Sequence, residues 1–232
     1  MPRTNLSKLL FRLSPLVLLL IAAWASADPP APEASKSRPL FNGTDLKGWT
    51  VDGTKTTDKG AAKRPVWSAR DGIIHCDGGG FGFLRCDEKF SDFTLRLEYR
   101  LQPRTNSGVG IRTVVYDGKT TTRPSRAGYE IQLNDDGTTE PSTHGTGSIY
   151  RHIPPRSLPA KPAGEWNQLV IDCQGPHLRI WLNDELVQDF DQRSVKATKT
   201  KPLEGFIALQ NHGGEVDFRS IEIERMHLRC RV

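Results

Sequence analysis

The side chain best suited to acid–base chemistry lies in a short segment in which polar and apolar residues alternate. Glu130 and Gln132 alternate there with Tyr129, Ile131 and Leu133. Because successive side chains of an extended strand point to opposite faces, Glu130 and Gln132 share one face. A carboxylate so placed can accept a proton near neutral pH if its surroundings tune it. Glu130 is therefore a candidate catalytic base, and Gln132 a candidate substrate-binding group.

Two further segments carry polar residues at the same two-residue spacing. His212 is a second candidate base, since imidazole titrates near neutral pH. An arginine beside either base could stabilise a developing oxyanion, a contribution of about 3–4 kcal/mol for one well-placed donor. If the three segments are neighbouring strands, their polar faces form a floor suited to a hydroxyl-rich ligand. The residues that would share one face in each of these two segments are Asn106, Gly108, Gly110 and Arg112 in the first, and Gln210 and His212 in the second.

The alternative for each of these residues is the solvated face of an ordinary strand, which is the assignment for Glu98 and Arg100. Gly108 and Gly110 favour a site, because glycine weakens a strand and often marks a close approach by a ligand or another backbone. Asn106, Gln132, Gln210 and Tyr150 are predicted to bind substrate hydroxyls. Tyr150 could equally be a core aromatic residue.

The elements that must position these groups are predicted to be short antiparallel strands. Residues 94–101 alternate leucine or tyrosine with charged or polar residues, as a strand with one buried face does. Asn183 and Asp184 both tolerate a positive φ and predict a hairpin turn between 177–182 and 185–190. No segment shows a helical period. The remaining predicted strands are 73–76, 82–86, 108–115, 129–133, 168–173, 205–210 and 216–224, and residues 116–128 form the longest predicted loop.

The N-terminus has the layout of a secretory signal peptide. Three basic residues precede an apolar run, and Ala25-Ser26-Ala27 follows it. We expect cleavage after Ala27, a Pro- and Ser-rich disordered linker over 28–39, and one domain over 40–232. The mature protein is then secreted or periplasmic, without an integral membrane segment; an uncleaved anchor is the alternative. Without residues 1–27 the formal charge falls from +5 to +2, which gives no case for nucleic acid.

The cysteines and acidic residues do not decide whether the protein contains disulfide bridges or a metal site. Cys76, Cys86, Cys173 and Cys230 can pair in three ways in an exported protein, and buried thiols are at least as good an interpretation. No C-x-x-C pair or EF-hand loop is present. The acidic stretch 134–137 reads first as a turn. No cofactor is certain, although a divalent metal could do the work assigned to Arg112.

Seven phrases in fixed order resemble the 3-keto-disaccharide hydrolase domain family. The resemblance spans residues 40–226. It implies a concanavalin-like jelly-roll β-sandwich of two antiparallel sheets, and cleavage of glycosides already oxidised at carbon 3. The phrases are LFNGTDLKGW at 40–49, NSGVGIR at 106–112, YEIQL at 129–133, GSIY at 147–150, AGEWN at 163–167, LQNHG at 209–213 and VDFR at 216–219.

The implied chemistry needs one base and one enolate stabiliser. A ketone at carbon 3 acidifies the hydrogen on carbon 2, so its removal permits β-elimination of the group on carbon 1, followed by hydration. Ordinary glycoside hydrolysis uses two carboxylates about 5–10 Å apart, and here only Glu130 stands out. The alternatives are a lectin-like glycan-binding module without catalysis and, ranked last, a retaining glucanase with a second acid not yet placed.

Overall fold

In the computed structural model, residues 36–58 and 62–226 are described. They form almost entirely β-structure, with one short α-helix, α1 (Pro124–Ala127), and two single 3₁₀ turns (Thr120–Thr122 and Gln192–Ser194). The strands are β1 (Arg38–Pro39), β2 (Trp49–Gly53), β3 (Thr56–Thr57), β4 (Arg64–Pro65), β5 (Trp67–Arg70), β6 (Ile73–Cys76), β7 (Gly82–Phe90), β8 (Phe93–Leu101), β9 (Asn106–Thr113), β10 (Tyr129–Asn134), β11 (Asn167–Gln174), β12 (His177–Leu182), β13 (Glu185–Asp191), β14 (Gly205–Asn211) and β15 (Val216–Arg225).

Two antiparallel sheets pack into a sandwich around one apolar core. The larger sheet has the strand order β13-β12-β11-β8-β15-β6-β5, with β1 paired to β15. The smaller sheet has the order β10-β9-β14-β7-β2. Alternate residues of both sheets face inward, for example Leu95 and Leu97 from β8 and Val109 and Ile111 from β9, and all of these are buried. This burial of one face of each sheet gives the strands their two-residue hydrophobic period.

The ten predicted strands are present, most with ends shifted by one or two residues. The hairpin is also confirmed, since Asn183 and Asp184 have φ values of 49° and 66°. The linker ends earlier than expected: Arg38 and Pro39 pair with Ile223 and Glu222 in β15. The predicted signal peptide (1–27) and most of the linker lie outside the described residues. Within the described ranges, no helix is long and apolar enough to cross a bilayer.

The thiols that the structure describes are all buried. Cys86 and Cys173 are free cysteines, and burial raises the pKa of both, that of Cys173 to about 12. Cys76 lies in the core on β6, and Cys230 is outside the described residues. The interpretation as buried thiols therefore applies to Cys86 and Cys173.

Candidate functional site

A small pocket on the outer face of the smaller sheet gathers most of the polar residues predicted to form a site. Residues from β9, β10 and β14 form its floor, and the loop before β10 and the segment after Tyr150 contribute its sides. Glu130, His212, Asn106, Tyr150 and Gln210 of the predicted set all line it. The additional lining residues are Phe81, Thr120, Arg123, Ser125, Arg126 and Arg151.

Glu130 is a buried carboxylic acid on the floor of this pocket. Its residue is only 4% exposed, and burial raises its pKa above the usual value for glutamate. Hydrogen bonds limit that rise: Gln210 Nε2 donates to Glu130 Oε1 at 2.9 Å, and the hydroxyl and backbone N–H of Ser125 also donate to the carboxylate. These donors fix the side chain and leave a carboxylate that is more basic than a solvated one.

The two glycines of β9 make room for this arrangement. A Cβ on Gly108 would lie 3.1 Å from Glu130 Cγ, and one on Gly110 would lie 2.8 Å from two ring carbons of Pro124. Glu130 therefore leans over Gly108 towards Gln210, and α1 rests on Gly110. The close approach predicted from these glycines thus comes from the protein's own side chains.

The segment containing α1 covers one side of the pocket and is held by a half-buried lysine. Lys201 Nζ donates to the carbonyl oxygens of Ser125 and Arg126, each at 3.2 Å, and of Gly128. Burial, together with the charge of Arg126, lowers the pKa of Lys201 to about 8. The ammonium thus satisfies carbonyl groups that a helix of one turn cannot pair internally. It fixes the segment that places Ser125 against Glu130.

His212 lines the pocket at the start of the turn after β14. Its ring packs edge-to-face on Phe81, with centroids 5.3 Å apart. Arg123 stacks its guanidinium on the same phenyl ring at 4.4 Å. Partial burial, with a smaller contribution from the charge of Arg123, lowers the pKa of His212. The imidazole is therefore mainly neutral at pH 7.

Tyr150 and Gln132 occupy different positions relative to the pocket. Tyr150 lies at the edge beside β10, where its backbone N–H donates to the Glu130 carbonyl oxygen at 2.9 Å. Arg151 stacks over its ring at 5.3 Å. Gln132 is buried beneath the lining, and its Nε2 donates to Asn106 Oδ1 at 3.4 Å. Gln132 thus orients Asn106 and does not itself line the pocket.

The structure does not bring Arg112 to the pocket. Arg112 is fully buried, and its guanidinium donates to the carbonyl oxygens of Ser91 and Gly175 and contacts Asp92. The reason is a break in the strand alternation: the register of β14 against β9 shifts between Phe206 and Ala208, and Arg112 has a φ of 48°. One extra residue in β9 turns the side chain to the other face. Arg112 therefore cannot stabilise an oxyanion at Glu130.

The predicted turn after β10 carries the acidic residues considered for a cation. Asp136 accepts hydrogen bonds from Asn134 Nδ2 and the Thr138 backbone N–H, as in an Asx turn. Asp135 accepts one from the Arg104 N–H. Across residues 36–58 and 62–226, no group of three or more His, Cys, Asp or Glu side chains could hold a metal ion.

Comparison with known proteins places this chain in a family. Residues 36–224 match the 3-keto-alpha-glucoside-1,2-lyase-like domain. The chain belongs to this family. It is 26% identical over 228 residues to the 3-keto-disaccharide hydrolase of Bacteroides thetaiotaomicron, an alignment that covers 80% of this chain and 77% of the relative.

Solved structures agree on the architecture. A candidate glycosyl hydrolase from Parabacteroides distasonis is similar with a TM-score of 0.65 and 26% identity, over 82% of this chain and 100% of that one. A Bacillus subtilis protein with a galectin-like fold is similar with a TM-score of 0.50 and 13% identity, over 85% and 98% of the two chains. The second likeness concerns the fold alone. The concanavalin-like sandwich predicted from the family phrases is therefore confirmed.

Sequence reasoning missed the residues that this 3-keto-alpha-glucoside-1,2-lyase-like domain takes from its loops. Arg123, Ser125 and Arg126 lie in the long loop 116–128, where no periodicity assigns a side chain to a face. Phe81 follows a run of glycines, and Arg151 follows the family phrase at 147–150. The available signals were the length of the loop and Pro124, which favours the first turn of a helix.

Proposed function

We propose that the protein is an exported enzyme that cleaves 3-keto-glycosides by abstraction of the carbon-2 proton and β-elimination at carbon 1, followed by hydration. The observation that carries this is a polar pocket in a member of this family with a single carboxylate, Glu130, on its floor. An elimination needs one base, whereas ordinary glycoside hydrolysis needs two carboxylates. The reacting sugar is an oxidised hexose whose hydroxyls meet Asn106, Tyr150 and Gln210.

Glu130 is assigned the role of base. Its electron pair takes the hydrogen of carbon 2, the double bond forms between carbons 1 and 2, and the bond from carbon 1 to the leaving oxygen breaks. The departing oxygen takes up a proton, and water then adds across the double bond. Burial raises the pKa of Glu130, which strengthens it as a base towards a C–H bond. His212 is a less suitable base, because it lies in a turn and its pKa is lowered.

Arg123 takes the role first assigned to Arg112. During proton removal, negative charge develops on the oxygen at carbon 3. Arg123 lines the pocket, its guanidinium is fixed on Phe81, and its Nε is buried without a hydrogen-bond partner among the described residues. A buried donor without an acceptor is costly, and an oxyanion supplies that acceptor. The enolate is therefore assigned to Arg123, with Tyr150 and Asn106 as neutral donors to other hydroxyls.

The decisive experiment compares a 3-keto-disaccharide with its unoxidised parent and measures the released monosaccharide. We expect release from the oxidised sugar only, with kcat/KM rising with pH through the elevated pKa of Glu130. Comparable release from the parent would overturn the elimination mechanism. Binding of both sugars without turnover would instead identify a lectin-like glycan-binding module.

Exchange of the carbon-2 hydrogen with deuterated water tests the assignment of the base. Glu130→Gln should abolish exchange. If exchange survives in Glu130→Gln and vanishes in His212→Ala, His212 is the base.

Export is tested separately by mass spectrometry of the mature protein, which should begin at Asp28. Retention of residues before Asp28 would identify an N-terminal anchor.

A further inference from the structure

The charges around the pocket do not balance. Its only acidic lining residue is Glu130, whose raised pKa keeps it less ionised than a solvated carboxylate, whereas Arg123, Arg126 and Arg151 all line the pocket. Most arginines of the described residues make ion pairs, as Arg100 does with Asp217 and Arg219 with Glu98. Among residues 36–58 and 62–226, none of the three pocket arginines has a carboxylate partner within salt-bridge distance. The pocket therefore holds three guanidinium groups and one carboxylate, Glu130, with which Arg151 interacts at longer range, and it is a concentrated region of excess positive charge.

Neighbouring titratable groups respond to this positive charge. Apart from burial, the charge of Arg123 lowers the pKa of His212 on one side of the pocket. On the β10 side, burial and then the charges of Lys201, Arg126 and Arg151 lower the pKa of His152, although a hydrogen bond with the Ser125 backbone opposes them. Like charges held together raise the free energy of the folded protein. Such an arrangement becomes favourable when an anion enters between the arginines.

The arginines also differ in depth. Arg123 is half-buried over Phe81, beside the position assigned to the enolate, while Arg126 and Arg151 are exposed on the β10 side. Both line the same pocket. A sugar ring seated against Glu130 must direct its leaving group out of the pocket. Two exposed guanidinium groups are then available to that leaving group, and the planar guanidinium suits oxyanions such as carboxylate, sulfate or phosphate.

We infer that the enzyme prefers 3-keto-glycosides whose leaving group carries an oxyanion, bound by Arg126 and Arg151. This inference rests on the proposed elimination. It adds a specificity-determining function for two residues that take no part in the bond changes. Their exposure means that the preference is electrostatic and sensitive to salt.

The test uses two aryl 3-keto-glucosides that differ only at the para position of the leaving group. One releases 4-hydroxybenzoate and the other 4-hydroxybenzamide, which is neutral. We expect kcat/KM to favour the carboxylate by about tenfold in low salt, since hydrogen bonds to charged groups are the stronger ones. The preference should shrink as salt rises from about 0.05 to 0.5 M. The amide is the better phenolic leaving group, so a preference for the carboxylate cannot arise from intrinsic reactivity.

Variants then assign the preference to the arginines. The double variant Arg126→Gln/Arg151→Gln should bring the ratio of the two kcat/KM values close to one. Arg70→Gln removes one arginine charge from an exposed position on β5 of the other sheet, and it should keep the wild-type ratio. Cleavage of both substrates without preference, or a ratio unchanged in the double variant, would overturn the inference while sparing the elimination. Cleavage of neither would count against the proposed function itself.

Discussion

Charged residues cluster on the outer faces of both sheets, and the two clusters differ in how their charges are paired. On the larger sheet, His75 Nδ1 lies 2.6 Å from Asp217 Oδ1, Arg100 lies 2.7 Å from the other oxygen, and Arg219 lies 2.8 Å from Glu98. Trp166 packs beneath both arginines. Every charged side chain named in this cluster has an opposite charge in contact.

The pocket on the smaller sheet shows the opposite arrangement. Glu130 is held by the neutral donors Gln210 and Ser125, and within residues 36–58 and 62–226 the arginines around it have no carboxylate at salt-bridge distance. Groups with complementary neighbours stabilise the fold and need nothing further. A buried polar atom without a partner among the described residues, such as Arg123 Nε, is costly unless a ligand supplies one, whereas the exposed Arg126 and Arg151 are solvated. The difference therefore separates the structural cluster from the candidate site, although both are rich in arginine and acid.

Exchange of one glutamate in each cluster gives the largest predicted contrast. Glu130→Gln should lower turnover of a 3-keto-disaccharide by about 10³-fold, the middle of the range for loss of a general base. Glu98→Gln should leave turnover within about twofold, because it removes only part of a half-exposed ion pair. Steady-state kinetics on both variants decides this, and similar rates in the two would remove the distinction between the clusters.

Glu130→Gln should raise the stability of the protein relative to wild type as pH rises, although it lowers turnover. Because its pKa is raised in the folded protein, folding favours the protonated form, and the stabilisation present at low pH is lost as pH rises through the folded pKa. Glu130→Gln removes that loss. The melting temperature of the variant relative to wild type should therefore increase as pH rises above the ordinary glutamate pKa towards the raised folded value, and a constant difference would contradict the burial of an ionisable group.

Arg112 extends the comparison to a charge paired inside the protein. Arg112→Met leaves two carbonyl oxygens without their donor and removes the cation beside Asp92, which still accepts from the Gly175 backbone N–H at 2.7 Å. Breaking such a buried network costs about 3–5 kcal/mol, so urea denaturation should show a loss of this size. Turnover measured below the melting transition should stay near wild type. A variant that is stable but inactive would show that Arg112 contributes to the candidate site.

Gly108 tests the fit of Glu130 at a finer scale. In Gly108→Ala the new methyl group would lie 3.1 Å from Glu130 Cγ and 3.3 Å from Oε1, so the carboxylate must move by a few tenths of an ångström. We expect kcat to fall about tenfold, since small displacements of a positioned base are costly. Gly145→Ala, which would meet only the Ser142 hydroxyl at 3.3 Å, is the matched control. Equal kcat values for the two variants would show that the position of Glu130 is not critical.

The smallest predicted effect lies in the paired cluster. The hydrogen bond with Asp217, assisted by Asp77, raises the pKa of His75. Its stabilising contribution is therefore complete below the unfolded pKa of about 6.5 and is lost as pH rises through the folded value. His75→Gln should cost about 1 kcal/mol near pH 6 and less near pH 9, measured by urea denaturation. A cost independent of pH would mean that the ring acts only by packing.

Much of the fold followed from the sequence because burial on one face imposes a two-residue period. Val109, Ile111, Ile131 and Leu209 mark the inward faces of strands that carry the pocket floor on the opposite face. Glu130, Asn106 and Gln210 could be placed together on that basis, before their strands were known to be neighbours. The prediction depended on an uninterrupted pleat, and it held where the pleat was regular.

The errors lie where this regularity ends. Arg112 follows Gly110 by two residues, so regular alternation would place both on one face of the strand. The extra residue in β9 turns the Arg112 side chain to the other face. Arg123 and Arg126 lie in a loop, whose path over Gly110 depends on contacts with β9 and Lys201, both distant in sequence. The alternation of side chains along a strand carries no information about such contacts. The arginines of the pocket could be found only from the folded structure.

The strand order has a consequence for when the protein can first become active during its synthesis. β14 lies between β9 and β7, and β15 lies between β8 and β6, so the last two strands of the chain complete the middle of both sheets. A growing chain that ends before β14 has two unjoined halves of the smaller sheet and lacks Gln210 and His212. Long-range pairing of this kind delays folding until the distant segments meet. The pocket is therefore incomplete until β14 has been synthesised, so a chain that has not reached this strand would lack the proposed activity.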